Sequence, residues 1–122
     1  ELSWRWRLLP PVPEKPSPFA PGQSYGQAGN PTVALMTGCI MDALYHRTHQ
    51  ATIDTLVANG YRVVIPPQTC CGALALHAGE KDIALRLARQ NLTPDLLAAD
   101  HVVLNSAGCG AALKEYGHLL AN

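Results

Sequence analysis

Three short apolar runs, each followed by a stretch of helical periodicity, constrain this chain more than any other feature. The runs are Thr32–Thr37 (TVALMT), Tyr61–Ile65 (YRVVI) and His101–Asn105 (HVVLN). Runs this short and this apolar suit strands buried on both faces. The first ends at Gly38-Cys39 and the second at Pro66-Pro67, where proline removes a ladder donor. Residues 42–59 then place Tyr45, His49, Ile53, Leu56 and Val57 at helical spacing. Asp42 is the expected N-cap of that helix and Asn59-Gly60 its stop. Residues 73–90 carry Ile83, Ala84, Leu87 and Ala88 at helical spacing, with Gly79 a break near the first turn. Thr93-Pro94 pairs an N-cap with a proline at the first helical position and opens a short helix to about residue 99. A last helix is expected over 111–120. The order β-α-β-α-β-α predicts a small three-layer, Rossmann-like α/β domain with a parallel sheet and right-handed crossovers.

Residues 1–31 have a different character. Pro10, Pro11, Pro13, Pro16, Pro18 and Pro21 crowd together, and Gly22, Gly26 and Gly29 follow. Proline fixes φ and removes backbone donors, so this stretch reads as a linker or tail, extended and polyproline-like in its first half. The domain proper is then 32–122. Trp4 and Trp6, flanked by Arg5 and Arg7, read as residues packed onto the domain, with a docking anchor as the rival. The chain opens on Glu1 rather than Met, which reads as a piece of a longer protein or a processed product.

Nine basic and nine acidic side chains cancel, so the chain lacks the electrostatic footprint expected for nucleic acid. No apolar run approaches the roughly 20 residues that span a bilayer, and no secretory signal opens the chain. Without such a signal, and with two cysteines adjacent, a disulfide framework fits poorly. A reduced, metal-binding set fits better.

The cysteines stand where such a fold gathers ligands. Cys39 follows the first predicted strand, Cys70 and Cys71 follow the second, and Cys109 follows the third. In open parallel sheets, ligands bind beyond the carboxyl ends of the strands, so all four thiols are expected at one edge. Thiolates prefer zinc, copper(I) and iron–sulfur clusters, and four suffice for tetrahedral zinc or a four-cysteine cluster. Zinc ribbons and ferredoxin loops use cysteine pairs two apart, a spacing missing here. Gly38, Gly72, Gly108 and Gly110 flank the cysteines and would let backbone N–H groups approach cluster sulfurs. Rival readings are four buried small hydrophobes, or a nucleophilic thiolate activated by His77 or His101.

These residues resemble the CCG cysteine-rich domain found in heterodisulfide reductase, in lactate-utilisation iron–sulfur proteins and in the glycolate oxidase iron–sulfur subunit. The likeness is strongest to the last. Its carriers are Thr37-Gly38-Cys39, Cys70-Cys71-Gly72-Ala73-Leu74 with His77-Ala78-Gly79-Glu80, and Asn105 to Gly110 with Leu113-Lys114-Glu115-Tyr116. Leu8-Leu9-Pro10-Pro11 resembles the segment that joins the family's ferredoxin-like region to its first cysteine-rich domain. The resemblance implies an iron–sulfur cluster, expected to be 4Fe-4S with zinc as the alternative, on Cys39, Cys70, Cys71 and Cys109. Gly72, His77, Glu80, Ser106, Gly108 and Gly110 are the residues it places around that cluster. It also implies a non-catalytic electron-transfer part of a glycolate oxidase-type complex in the cytoplasm, peripheral to the inner membrane. Its partners would be flavin-containing subunits and the ferredoxin-like and second cysteine-rich regions of the same protein. The alternatives are a structural zinc or docking domain, and a thiol/disulfide redox domain like that of heterodisulfide reductase. One departure stands out. The general pattern ends in two cysteines two apart, and Ser106 stands where the first would be, leaving four thiolates in place of five.

Overall fold

The computed structural model describes residues 10–121, so Trp4 and Trp6 lie outside the described residues. Four strands form one sheet: β1 (Ser24–Tyr25), β2 (Thr32–Met36), β3 (Arg62–Val64) and β4 (His101–Leu104), in the order β1-β3-β2-β4. β2 pairs in parallel with β3, Val33 opposite Val63, and with β4, Met36 opposite Leu104. The three predicted strands therefore all point the same way. β1 adds an antiparallel edge, Ser24 opposite Val64, inside the segment read as linker.

The central strand explains the layering. Successive side chains of β2 point to opposite faces, and Val33, Ala34, Leu35 and Met36 are all buried. Leu35 joins Phe19, Ile53, Val63 and Ile65 in one core cluster. Ala34 and Met36 join Leu96 in another, with Leu104 and Leu113 packed against it. Both faces are covered, as the short, unbroken apolar runs require. The fold is a mixed α/β domain with a mostly parallel sheet, compatible with a small Rossmann-like architecture.

Among the described residues seven helices connect and cover the strands: α1 (Ile40–Leu44), α2 (His46–Ala58), α3 (Ala73–His77), α4 (Lys81–Asn91), α5 (Pro94–Leu97), α6 (Ala107–Lys114) and α7 (Tyr116–Ala121). The expected helix 42–59 is two helices, broken at Tyr45. Cys39 rather than Asp42 holds the N-cap position, and Asp42 lies in the first turn, where its carboxylate accepts from the Ser17 hydroxyl. Asn59-Gly60 ends α2 as expected. The Gly60 and Tyr61 N–H groups return to the Val57 and Leu56 carbonyls, the paired bonds of a Schellman stop.

The same device divides the second predicted helix. Gly79 has φ +85°, and the Gly79 and Glu80 N–H groups bond to the Leu76 and Ala75 carbonyls. It closes α3 and turns the chain into α4. Thr93 caps α5 as predicted, its side chain accepting from Leu96 N–H. The last predicted helix begins earlier than expected, at Ala107, and Glu115 separates α6 from α7.

Candidate metal centre at the carboxyl edge of the sheet

The strand order sets the place of the site. The chain passes from β2 outward to β3, then returns to the other side of β2 to form β4. The order thus reverses at β2, and in open α/β sheets the crevice outside the carboxyl ends at such a reversal receives ligands. A cleft of ≈ 220 Å³ lies there. Met36 and Thr37 at the end of β2, Leu104 and Asn105 at the end of β4, and all four cysteines line it.

The sulfurs stand as two close pairs. Cys39 Sγ lies 3.5 Å from Cys70 Sγ, and Cys71 Sγ lies 3.1 Å from Cys109 Sγ. None of the four is in a disulfide. Their exposure is graded: Cys39 is exposed, Cys70 and Cys109 are half-buried, and Cys71 is buried. Burial, then the hydrogen bond to Cys70, pushes the Cys39 thiol up from its ordinary value. Burial pushes Cys71 up to about 12, with Cys109 and the Cys70 charge adding to it. Thiols crowded this way resist becoming thiolates together, and a cationic group bound among them would reverse that by releasing their protons.

The donor set is therefore all sulfur, which fits a soft metal. Zinc needs four sulfurs about 2.3 Å from one centre. Among the described residues no three cysteine, histidine or carboxylate side chains are arranged to hold a single ion. The cleft has several times the roughly 30 Å³ that one water occupies in the liquid. Two sulfur pairs across such a space suit a polynuclear group better than a lone ion.

Several contacts that sequence reasoning missed fix the cysteine loops. Gln68 bridges the β2 and β3 ends: its Oε1 accepts from Gly38 N–H at 3.2 Å and its Nε2 donates to the Leu35 carbonyl at 3.5 Å. Asn91, at the end of α4, is completely buried. Its Oδ1 accepts from Thr69 N–H at 2.7 Å, and its Nδ2 donates to the Cys70 carbonyl at 3.0 Å. Nδ2 also donates to the Tyr116 hydroxyl at 3.1 Å, which in turn donates to the Cys71 carbonyl at 2.8 Å. On the other flank, Asn105 lies 3.0 Å from Nδ1 of the fully buried His49 and accepts from the Thr52 hydroxyl. An uncharged amide closing an amphipathic helix, on the same side as Ala84 and Ala88, was the one available signal for the Asn91 hub.

The residues expected around the cysteines divide. Ser106 and Gly108 line the cleft. Ser106 sits at the N-cap of α6 without a side-chain cap bond, and Cys109 lies in the first turn of that helix rather than in a loop before it. Gly72 is buried behind the cleft as the left-handed N-cap of α3. His77 and Glu80 are exposed at the far end of α3, and Gly110 faces the groove beside β4; none of these three lines the cleft. His101, a candidate thiol activator, starts β4 and packs edge-on against Tyr61, at the opposite end of the strand from Cys109. Among the described residues no helix is long and apolar enough to cross a membrane.

Comparison with known proteins agrees with this geometry. The family model described as a cysteine-rich domain, CCG, matches residues 33–114. A probable glycolate oxidase iron-sulfur subunit of Bacillus subtilis is 48% identical over 90 residues, covering 72% of this chain and 20% of that protein. Lactate utilization protein A of Geobacillus kaustophilus is 36% identical over 88 residues, covering 71% and 36%. A fumarate reductase (CoM/CoB) subunit of Methanothermobacter marburgensis is 32% identical over 94 residues, covering 76% and 19%. The chain thus spans between a fifth and about a third of the length of these relatives. No solved structure matches. With the match running from β2 through α6 and taking in all four cysteines, the chain belongs to the CCG cysteine-rich domain family.

Proposed function

We propose that Cys39, Cys70, Cys71 and Cys109 hold an iron–sulfur cluster, of the 4Fe-4S type, and that the domain transfers electrons within an oxidoreductase complex of the glycolate oxidase kind. The observation that carries this reading is the convergence of four thiols and, among the described residues, no other ionisable side chain on one cleft at the strand-order reversal. Three of the relatives are named for glycolate oxidation, lactate utilisation and fumarate reduction. A domain shared by proteins so named handles what those reactions have in common, electrons, rather than any one carboxylate.

When bound, the cluster would supply a one-electron couple whose potential depends on its charge, its hydrogen bonds and its exposure to water. The chain supplies the rest. Cys39 and Cys70 form the outer pair at the mouth, and Cys71 and Cys109 the inner pair. Ile40 and Leu74 line the same cleft, at 52% and 64% exposure, and form an apolar rim that a neighbouring region can cover. The proposed neighbours are a flavin-containing subunit as electron donor and further iron–sulfur regions of the same protein.

The test is anaerobic reconstitution with iron and sulfide. Stoichiometric uptake of both, with visible absorbance bleached by dithionite, is the expected result. A colourless protein that binds one zinc and no sulfide would overturn the reading. Alanine at any one of the four cysteines should abolish stable uptake.

A further inference from the structure

The backbone of the Cys70-Cys71-Gly72 turn is held from behind. The Cys70 carbonyl accepts from Asn91 Nδ2 at 3.0 Å and the Cys71 carbonyl from the Tyr116 hydroxyl at 2.8 Å. Asn91 and Tyr116 are both buried, and neither lines the cleft. Among the described residues no peptide bond is cis. In a trans peptide the N–H points opposite to the C=O of the same unit. Fixing the two carbonyls toward Asn91 and Tyr116 thus turns the Cys71 and Gly72 N–H groups the other way, toward the side on which Cys70 and Cys71 line the cleft. Neither N–H has a partner among the described residues. The next N–H, of Ala73, already donates to the Cys71 sulfur. The Ala73 N–H thus bonds one sulfur, and the two N–H groups before it are left unpaired next to it among the described residues.

We infer that Asn91 and Tyr116 are positioning residues that tune the reduction potential of the group in the cleft, by locking the Cys71 and Gly72 N–H groups toward it. The inference rests on the cluster reading above and deepens it. Donors that face cluster sulfurs stabilise the more negative, reduced state and so raise the potential. A purely structural hub would alter stability and cluster yield but leave the potential of whatever cluster is bound unchanged.

The experiment reconstitutes the full chain and its Tyr116→Phe and Asn91→Ser variants anaerobically. It measures iron and sulfide content, the midpoint potential by spectroelectrochemistry, and thermal stability of each. The ring of Tyr116→Phe keeps its packing, so a folded, loaded variant with a lower midpoint potential is expected. Asn91→Ser should shift the potential in the same direction in whatever fraction loads. Thr69→Val removes the hydroxyl contacts to Asn91 Oδ1 at 3.3 Å and to the Cys70 carbonyl at 3.4 Å but keeps the shorter Asn91 and Tyr116 bonds to both carbonyls, and should shift the potential much less than Tyr116→Phe. Loaded Tyr116→Phe at the wild-type potential overturns the inference while leaving the cluster reading intact. So does a Thr69→Val shift as large as that of Tyr116→Phe. A wild-type chain that takes up neither iron nor sulfide overturns the cluster reading itself, and the inference with it.

Discussion

The Tyr116 hydroxyl and the Asn91 side-chain amide lie 3.1 Å apart in the interior and together hold the carbonyls of two adjacent cysteines. Tyr116 opens α7 and Asn91 closes α4, so both helices are bonded to the Cys70-Cys71 loop through these two side chains. Asn91→Ala would strand the Thr69 N–H and one bond of Tyr116, and would leave the Cys70 carbonyl only a 3.4 Å contact from the Thr69 hydroxyl. Unpaired buried groups cost more than a hydrogen bond is worth, and we expect a loss of about 3 kcal/mol. Tyr116→Phe strands the Cys71 carbonyl and one Asn91 N–H and should lose less, about 1–2 kcal/mol. Denaturant unfolding of the apo chain measures both. Equal losses would show that Asn91 is not the centre of the network.

Alanine should have opposite effects at two glycines near the cysteines. Gly72 has φ +83°, and a Cβ there would sit 3.3 Å from both the Cα and the carbonyl oxygen of Ala84. The left-handed conformation alone costs an L-residue about 1–2 kcal/mol, and α3 must also move from α4. Gly108 lies within α6, with nothing near a built Cβ, and alanine there should stabilise by about 0.5 kcal/mol, since glycine weakens helices. The unfolding midpoints of Gly72→Ala and Gly108→Ala should move in opposite directions. A neutral Gly72→Ala would contradict the close α3–α4 packing at this turn.

The thiols of the apo chain should react in the order of their exposure. Cys39 is exposed and Cys71 buried, and burial pushes Cys71 up to about 12. Thiolate is the nucleophile, so alkylation at neutral pH, followed by peptide mass spectrometry, should mark Cys39 first and Cys71 last. The same shift links to stability. Cys71 releases its proton less readily folded than unfolded, so its contribution is complete below the ordinary thiol value of 9.0. That contribution is lost as pH rises toward 12. Apo stability should therefore fall over that window in the wild type and much less in Cys71→Ala.

Much of this architecture can be read from the chain because its strands are short and apolar and the central one, β2, is buried on both faces. Thr32–Thr37 reads as an interior strand and is one, whereas His101–Leu104 forms an edge strand with Val102 41% exposed; the sheet then dictates where Cys39, Cys70, Cys71 and Cys109 meet. The helix breaks were harder to see. Tyr45 interrupts a periodicity that runs smoothly through it, and nothing local marks the kink. The supports of the site were least legible. Asn91 reads as a polar residue near a helix end, and Gln68 as a loop residue. Their partners are backbone groups of segments remote in sequence, which no local pattern encodes. His77 and Glu80 show the reverse, since they stand near the cysteines in sequence but flank the Gly79 turn, exposed and away from the cleft.

His49 should make the fold sensitive to mild acid. Its ring is fully buried, Nδ1 faces Asn105, and the Thr37 backbone lies within hydrogen-bonding reach of the ring and opposes the effect of burial. Burial holds its pKa below the ordinary value of 6.5, against the opposing pull of Asp42, while His46 adds to the lowering. The folded state thus prefers the neutral ring. The stability this confers is present above pH 6.5 and is lost as pH falls through the depressed value. Denaturation midpoints measured downward from pH 7 should drop in the wild type. In His49→Gln, which cannot ionise, the corresponding part of the slope should vanish. An unchanged slope would place the acid sensitivity elsewhere.

The proline-rich lead-in should prove indispensable from Ser17 onward. Phe19 is only 9% exposed, belongs to the main core cluster with Leu35, Ile53, Val63 and Ile65, and meets the His49 ring edge-on at 5.9 Å. Beyond it, Gly22 N–H donates to the Ile65 carbonyl and Ile65 N–H to the Gln23 carbonyl, extending the β1–β3 pairing and covering the edge of β3. A chain beginning at residue 32 forfeits all of this and leaves a parallel-sheet edge and a cavity beside His49. Phe19→Ala alone should cost about 3–5 kcal/mol, as for other large buried aromatics. A chain beginning at residue 10 keeps all of these contacts, and one beginning at residue 32 should unfold at a midpoint far below that of the full-length chain or not cooperatively at all. If the shorter chain matched the full-length midpoint, residues 17–25 would be dispensable, and the domain would begin at β2.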